Sequence, residues 1–162
     1  MRPQSRNYTW DDPAATIEAA QTMAGIDFLR AMVDGRLPQC AYQQTMEYDL
    51  VEVEVGRVVF AGKPGDYLLN PLGTVHGGYY AGILDSALGC AIHSRLAAGQ
   101  SYTTLEFKLN LVRALPTDGR TIRAIGEVIH PGRKIATSEA RLEDGNGKLY
   151  AHATCSCMIF SS

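Results

Sequence analysis

Three groups in the middle of the chain could do chemistry together: Asn70, the run His76-Gly77-Gly78, and Asp85. Asp85 sits among Ile83, Leu84, Ala87 and Leu88. A carboxylate buried without a partner is costly, so one in an apolar run has either a partner or a function. By itself it reads equally as a functional acid or as a helix residue turned to solvent or to a structural partner. His76-Gly77-Gly78 opens the same run. A helix N-terminus presents free N–H groups and a partial positive charge, and glycine lets a substrate oxygen approach the backbone. That is oxyanion-hole chemistry, suited to polarising a carbonyl. Taken alone, the run also reads as a glycine-rich cap with a structural histidine. The Asn70 amide could orient a water or a carbonyl, but an Asn before Pro71 is also a common turn.

Spacing couples these groups. His76 and Asp85 are nine positions apart. On an α-helix that is about 900° of rotation and about 13.5 Å of rise. The two groups point opposite ways and cannot meet at one carbon within one chain. Two such helices running antiparallel across a two-fold axis would bring the start of one to the middle of the other. A catalytic reading of these residues is therefore also an expectation of a dimer with two shared sites.

The elements that must position them follow from periodicity. Residues 76–97 are the longest low-polarity helix candidate, and Gly77, Gly78, Gly82 and Gly89 lie within it. Each glycine costs roughly 1 kcal/mol against alanine. Something must compensate, and small residues allow close approach to a sheet that encloses the helix. Upstream, Asp11-Asp12-Pro13 starts a helical stretch that Gly35 and Pro38 end and that Gly25 divides in two. From Met46 the period becomes two, and Gly56-Arg57 turns one strand into a second. After Gly99 come four strand-like runs, 102–112, 121–129, 134–142 and 149–160. They are broken at Pro116-Thr117-Asp118-Gly119, His130-Pro131-Gly132 and Asp144-Gly145-Asn146-Gly147, the last a strong hairpin signal. The pattern predicts an antiparallel meander. The expected class is α+β: an antiparallel β-sheet of five to six strands wrapped around a long central helix. An N-terminal helical extension is expected over 1–38, and the main domain over 39–162.

Composition narrows the partners. The chain has 162 residues, 46% apolar and 20% charged, which is one ordinary globular domain. Net charge is −2 with dispersed Lys and Arg, so neither nucleic acid nor an anionic membrane is expected as a main partner. Cys40, Cys90, Cys155 and Cys157 form no CxxC pair and no zinc-type Cys/His spacing, and read as buried small side chains in a reducing compartment. The N-terminus lacks the apolar core of a signal peptide, and no run approaches ~18 apolar residues, so a cytoplasmic location is expected. His93 and His152 read as structural or exposed.

The run Asn70-Pro71-Leu72-Gly73-Thr74-Val75-His76-Gly77-Gly78, followed by Asp85, resembles the signature of hotdog-fold thioesterases. Within the 4-hydroxybenzoyl-CoA thioesterase superfamily it is most similar to the phenylacetate-degradation (PaaI-like) branch. The similarity spans about residues 25–160, including Thr103-Thr104-Leu105-Glu106 and His130-Pro131-Gly132-Arg133-Lys134. The resemblance implies a hotdog fold that hydrolyses an acyl-CoA thioester with neither metal nor cofactor, coenzyme A being part of the substrate. It implies a homodimer with shared sites and, by analogy, a homotetramer. Asp85 matches the nucleophile or general base, and the Gly77 N–H the donor to the thioester carbonyl. Asn70 and His76 match residues that orient water and the helix cap. Relatives often carry Ser or Thr one turn after the acid, where this chain has Gly89, so Thr104 is the candidate to position the water. Gly78, Arg113, His130, Gly132, Arg133 and Lys134 match positions that contact coenzyme A. Two alternatives remain on the same fold: a non-catalytic acyl-CoA binding or regulatory protein, and a hydratase or dehydratase.

Overall fold

The computed structural model describes residues 3–161. Three helices come first: α1 (Ala14–Thr22), α2 (Gly25–Val33) and α3 (Ala41–Met46). A hairpin of β1 (Tyr48–Glu54) and β2 (Arg57–Gly62) follows, then the central helix α4 (Gly77–His93). The chain ends in β3 (Gln100–Leu111), β4 (Ile122–His130), β5 (Ile135–Asp144) and β6 (Leu149–Ser161). The six strands form one sheet, paired antiparallel in the order β1-β2-β4-β5-β6-β3. The enclosed helix, the division at Gly25 and the hairpins all agree with the expectation from sequence.

The sheet is not a simple meander. β4 pairs with β2, and β3 lies at the edge against β6. The Pro116–Gly119 turn therefore belongs to a connection that crosses the sheet between two non-adjacent strands. Local turn residues report a change of direction; they carry no information on which distant strand is the partner. In this order β3 lays Tyr102 and Leu109 against the core.

α4 is seated directly on the sheet. Tyr79, Tyr80, Ile83, Leu84, Ala87, Leu88, Ala91 and Ile92 on its inner side are buried. They meet an inner sheet surface rich in small residues, including Ala124, Ala136, Ala140, Ala151 and Ala153. Contact reaches the backbone: a Cβ added at Gly126 would run into the Ala87 carbonyl. Nearby, Ser138 Oγ donates to the Leu88 carbonyl at 2.9 Å. The opposite stripe of α4, formed by Ala81, Gly82, Asp85, Ser86 and Cys90, stays partly open. Tyr48, Tyr79 and Tyr80 belong to the core and line no open pocket.

α3 was not legible as a helix. It has six residues, too few to show a period, and the reading of a strand from Met46 begins two residues early. Its ends are fixed locally, by Cys40 N–H donating to Gln43 Oε1 at 3.2 Å and by Glu47 in the left-handed region at φ 55°. The N-terminal arm fastens it from outside. Asp11 and Gln44 exchange two hydrogen bonds of 2.9 and 2.7 Å. Arg6 pairs with Glu47 at 2.8 Å and donates to the Thr45 carbonyl at 2.9 Å. The cysteines also divide: Cys155 and Cys157 are buried as expected, while Cys40 is exposed.

His93 closes α4 inside the protein. Its ring packs between Phe28 and Tyr102 at centroid distances of 5.3 and 5.6 Å. Its Nε2 has no hydrogen-bond partner among the described residues. Burial holds its pKa below the ordinary 6.5. The unfolded chain therefore takes up this proton first as pH falls, so the stability His93 contributes is full above about 6.5 and is lost on acidification. The expected result is a melting temperature that declines between about pH 7.5 and 5.5, above most carboxylate titrations, with a shallower decline in a His93→Leu variant. Parallel slopes for the two proteins would show that another group is responsible.

Candidate functional site

The start of α4 is built by the loop before it. Asn70 Oδ1 accepts from the Leu72 and Thr74 N–H groups at 2.9 and 3.2 Å, and Nδ2 donates to Thr74 Oγ1 at 2.9 Å. The Asn70 amide is therefore engaged inside its own loop. That loop ends with the His76 N–H donating to the Leu68 carbonyl at 2.8 Å. His76 is the N-cap: its Nδ1 accepts from the Gly78 N–H at 2.9 Å. An accepting Nδ1 carries no proton, so the neutral ring holds its proton on Nε2. Gly77, the first residue of the helix, has no acceptor for its N–H among the described residues. A free donor at the positive end of a 17-residue helix dipole is what a developing negative oxygen would accept.

Asp85 lies two turns further along, on the open stripe. Thr104 Oγ1 on β3 donates to Asp85 Oδ1 at 3.2 Å. Thr104 in turn accepts from the Cys157 thiol at 3.9 Å. Desolvation raises the Asp85 pKa above the usual carboxylate value, and the Thr104 hydrogen bond partly offsets the rise. The carboxylate is thus held in a poorer environment than water, which makes it more basic.

The structure separates the remaining predicted residues into two groups. Arg113 is at the N-terminal end of α4, where its carbonyl accepts from the Tyr80 hydroxyl at 3.0 Å and its Nη1 donates to the Leu149 carbonyl at 2.8 Å. Gly132 and Arg133 are at the other end, lining an open cavity of about 360 Å³ with Ile92, Arg95 and Leu96. Lys134 sits beside them with Arg133, Ile159 and Ser161. His130 lies in the same turn, its Nε2 2.9 Å from where a Gly132 Cβ would be. The helix between the groups is about 25 Å long at 1.5 Å per residue. Within one chain, then, Thr104 and Asp85 meet, while Gly77 and the Arg133-Lys134 pair stand at opposite ends. Sequence reasoning missed Tyr42, whose ring lies on α4 at Gly82; nothing in the sequence marked α3 as an element. Among the described residues no group of three His, Cys, Asp or Glu side chains could hold a metal ion, and no helix is long and apolar enough to cross a membrane.

Asp85 with a raised pKa has a consequence for stability. A raised folded pKa favours the fold at low pH and disfavours it as pH rises through that value. At neutral pH the charge is therefore a net cost. Asp85→Asn, which keeps the shape and can still bond Thr104, should raise the melting temperature at pH 7 and lose that advantage toward pH 3. A lower melting temperature at pH 7 would show that the carboxylate supports the fold.

Residues 72–151 match the family described as the thioesterase superfamily. A conserved protein of Pseudomonas aeruginosa is similar in structure, with 29% identity and a TM-score of 0.70 over 75% of this chain and 95% of its own. A phenylacetic acid degradation-related protein of Ralstonia eutropha JMP134 has 27% identity and a TM-score of 0.71 over 80% and 98%. A hypothetical thioesterase protein of Streptococcus pneumoniae TIGR4, solved with coenzyme A, shares the fold at 24% identity and a TM-score of 0.64 over 72% and 88%. No curated protein matches the chain. Family match and fold agree: residues 72–151 match the thioesterase superfamily, and the chain has the hotdog fold of PaaI-type thioesterases.

Proposed function

We propose that the protein hydrolyses an acyl-CoA thioester to the free acid and coenzyme A, in sites shared between two subunits. The observation that carries this reading is the desolvated Asp85 carboxylate hydrogen-bonded to Thr104, in a chain that matches this superfamily. The thioester carbonyl oxygen accepts from the Gly77 N–H of one subunit. Asp85 of the other faces the carbonyl carbon. Its Oδ1 is engaged by Thr104, which leaves Oδ2 to take a proton from water as the water oxygen attacks. The tetrahedral oxyanion is held at the helix N-terminus, the C–S bond breaks, and the departing sulfur receives the proton. A direct attack by the carboxylate would give the same products through an anhydride. Water enriched in ¹⁸O separates the routes in a single turnover, because only direct attack leaves label in Asp85.

The dimer reading has two supports. The free Gly77 N–H and the Asp85 carboxylate are eight residues apart on α4, about 12 Å of rise, too far to meet at one carbon within one chain. β3 is also an open edge of 12 residues that presents Leu105, Phe107 and Leu111 to solvent, and such an edge is a template for pairing with another strand. Antiparallel pairing of two such subunits would set the Gly77 and Arg113 end of one helix near the Arg133 and Lys134 end of the other. That arrangement suits the phosphates of coenzyme A, the ligand of the Streptococcus relative.

Two variants, alone and together, test the whole reading. Asp85→Asn should lower kcat by about 10²–10⁴. Gly77→Pro removes the donor without disturbing the backbone, since proline is accepted at the first helical position and His76 already has the extended backbone (ψ 140°) that must precede it. Its loss should be about 10²–10³ in kcat. Co-expressed, the two variants should form hybrid dimers with one intact site each and recover activity that neither has alone. Failure of hybrids to recover would sink the shared site. Acyl-CoA binding without thiol release by the parent protein would leave a binding protein instead.

A further inference from the structure

We infer that Tyr42 sets the length of the acyl group this site accepts, an inference that rests on the thioesterase reading above. α4 carries glycine one turn to either side of Asp85, at the partly open Gly82 and the buried Gly89. Glycines there would leave a trench along the helix, wide enough for an alkyl chain leaving the carbonyl carbon. Tyrosines fill both ends of it. A Cβ at Gly89 would lie 2.5 Å from the Tyr102 hydroxyl, and Tyr102 is packed against the core. A Cβ at Gly82 would collide with the Tyr42 hydroxyl and lie 3.0 Å from two of its ring carbons. Between the two blocked positions the helix rises only about 10.5 Å.

The two plugs differ in character. Tyr102 belongs to the sheet and is fixed. Tyr42 stands on α3, is 50% exposed, and its hydroxyl makes no hydrogen bond among the described residues. It rests edge-on against Tyr48, ring centroids 6.3 Å apart. Its phenol pKa is raised, first by partial burial and then by the charge on Asp85. A side chain with no bond to satisfy, laid on a glycine beside the acid, acts through its volume. It stops a long chain and leaves room for a short one. The N-terminal arm, by tying Gln44 and Thr45, holds the helix that carries it.

The test uses the full chain and the variants Tyr42→Ala, Tyr42→Leu and Tyr42→Phe. Hydrolysis of butyryl-CoA and decanoyl-CoA is measured beside binding of the corresponding non-hydrolysable alkyl thioethers of coenzyme A. The parent should favour the short chain. Tyr42→Ala should raise the decanoyl-to-butyryl ratio of kcat/KM, and of affinity, by about tenfold or more, because each admitted methylene is buried. Tyr42→Phe keeps the ring and should keep the parent ratio. Tyr42→Leu retains apolar packing on α4, is smaller than the ring, and gives an intermediate shift even if the alanine variant fails to fold. Ratios unchanged in Tyr42→Ala and Tyr42→Leu, with hydrolysis intact, overturn the filter and leave the thioesterase standing. Ratios that move in binding, in a protein that releases no thiol, keep the filter and overturn hydrolysis.

Discussion

The structure depends on one contact, that of the α4 backbone with the sheet. Gly126 admits the Ala87 carbonyl, and Ser138 bonds the next carbonyl along. A helix with four glycines at or near its open face is poor on its own terms, by roughly 1 kcal/mol for each. Burial decides otherwise. Ile83, Leu84, Leu88 and Ile92 are all within 1% of complete burial, and each such side chain contributes about 1.5–3 kcal/mol. Because the sheet side is sealed to backbone contact, the carboxylate of α4 emerges on the other stripe and its free N–H at the end.

This division explains what could be read from the amino-acid order. The helix and its glycines, the turn at Gly56, and the break at Asp144–Gly147 are local patterns, and local patterns survive into the structure. The nine-residue offset between His76 and Asp85 already gave their separation along α4. Thr104 was reachable only through resemblance, since its contact with Asp85 spans 19 residues and a strand boundary. Two things were hidden. The place of β3 beside β6 is a choice among distant partners, made by packing. The helix α3 is shorter than any period, and its stability comes from Asp11 and Arg6, more than 30 residues away.

The site places its two working groups in unlike surroundings. The Gly77 donor stands at an exposed helix end, where loop geometry set by Asn70 and the His76 cap keeps it free of other acceptors. The acid sits partly buried on α4, between two glycines covered by Tyr42 and Tyr102. One group is prepared by positioning and the other by partial removal of water. Neither preparation lowers the energy of the folded chain. The glycines beside the acid, and the charge left between them, are features that core packing elsewhere must support.

The edge position of β3 also sets an order of events. Its ladder to β6 pairs Gln100 with Ser161, and Thr104 with Cys157. Those contacts span more than 50 residues and use the last strand of the described chain. A ribosome releasing this protein has exposed the helix, the acid and the glycine-rich turn well before any partner for β3 exists. Thr104 cannot be held against Asp85 until β6 has emerged and closed the sheet. High sequence separation of this kind slows folding. It also means that the Asp85–Thr104 pair is among the last parts of the molecule to acquire its shape, so a nascent or truncated chain carries the acid without the hydroxyl bonded to it.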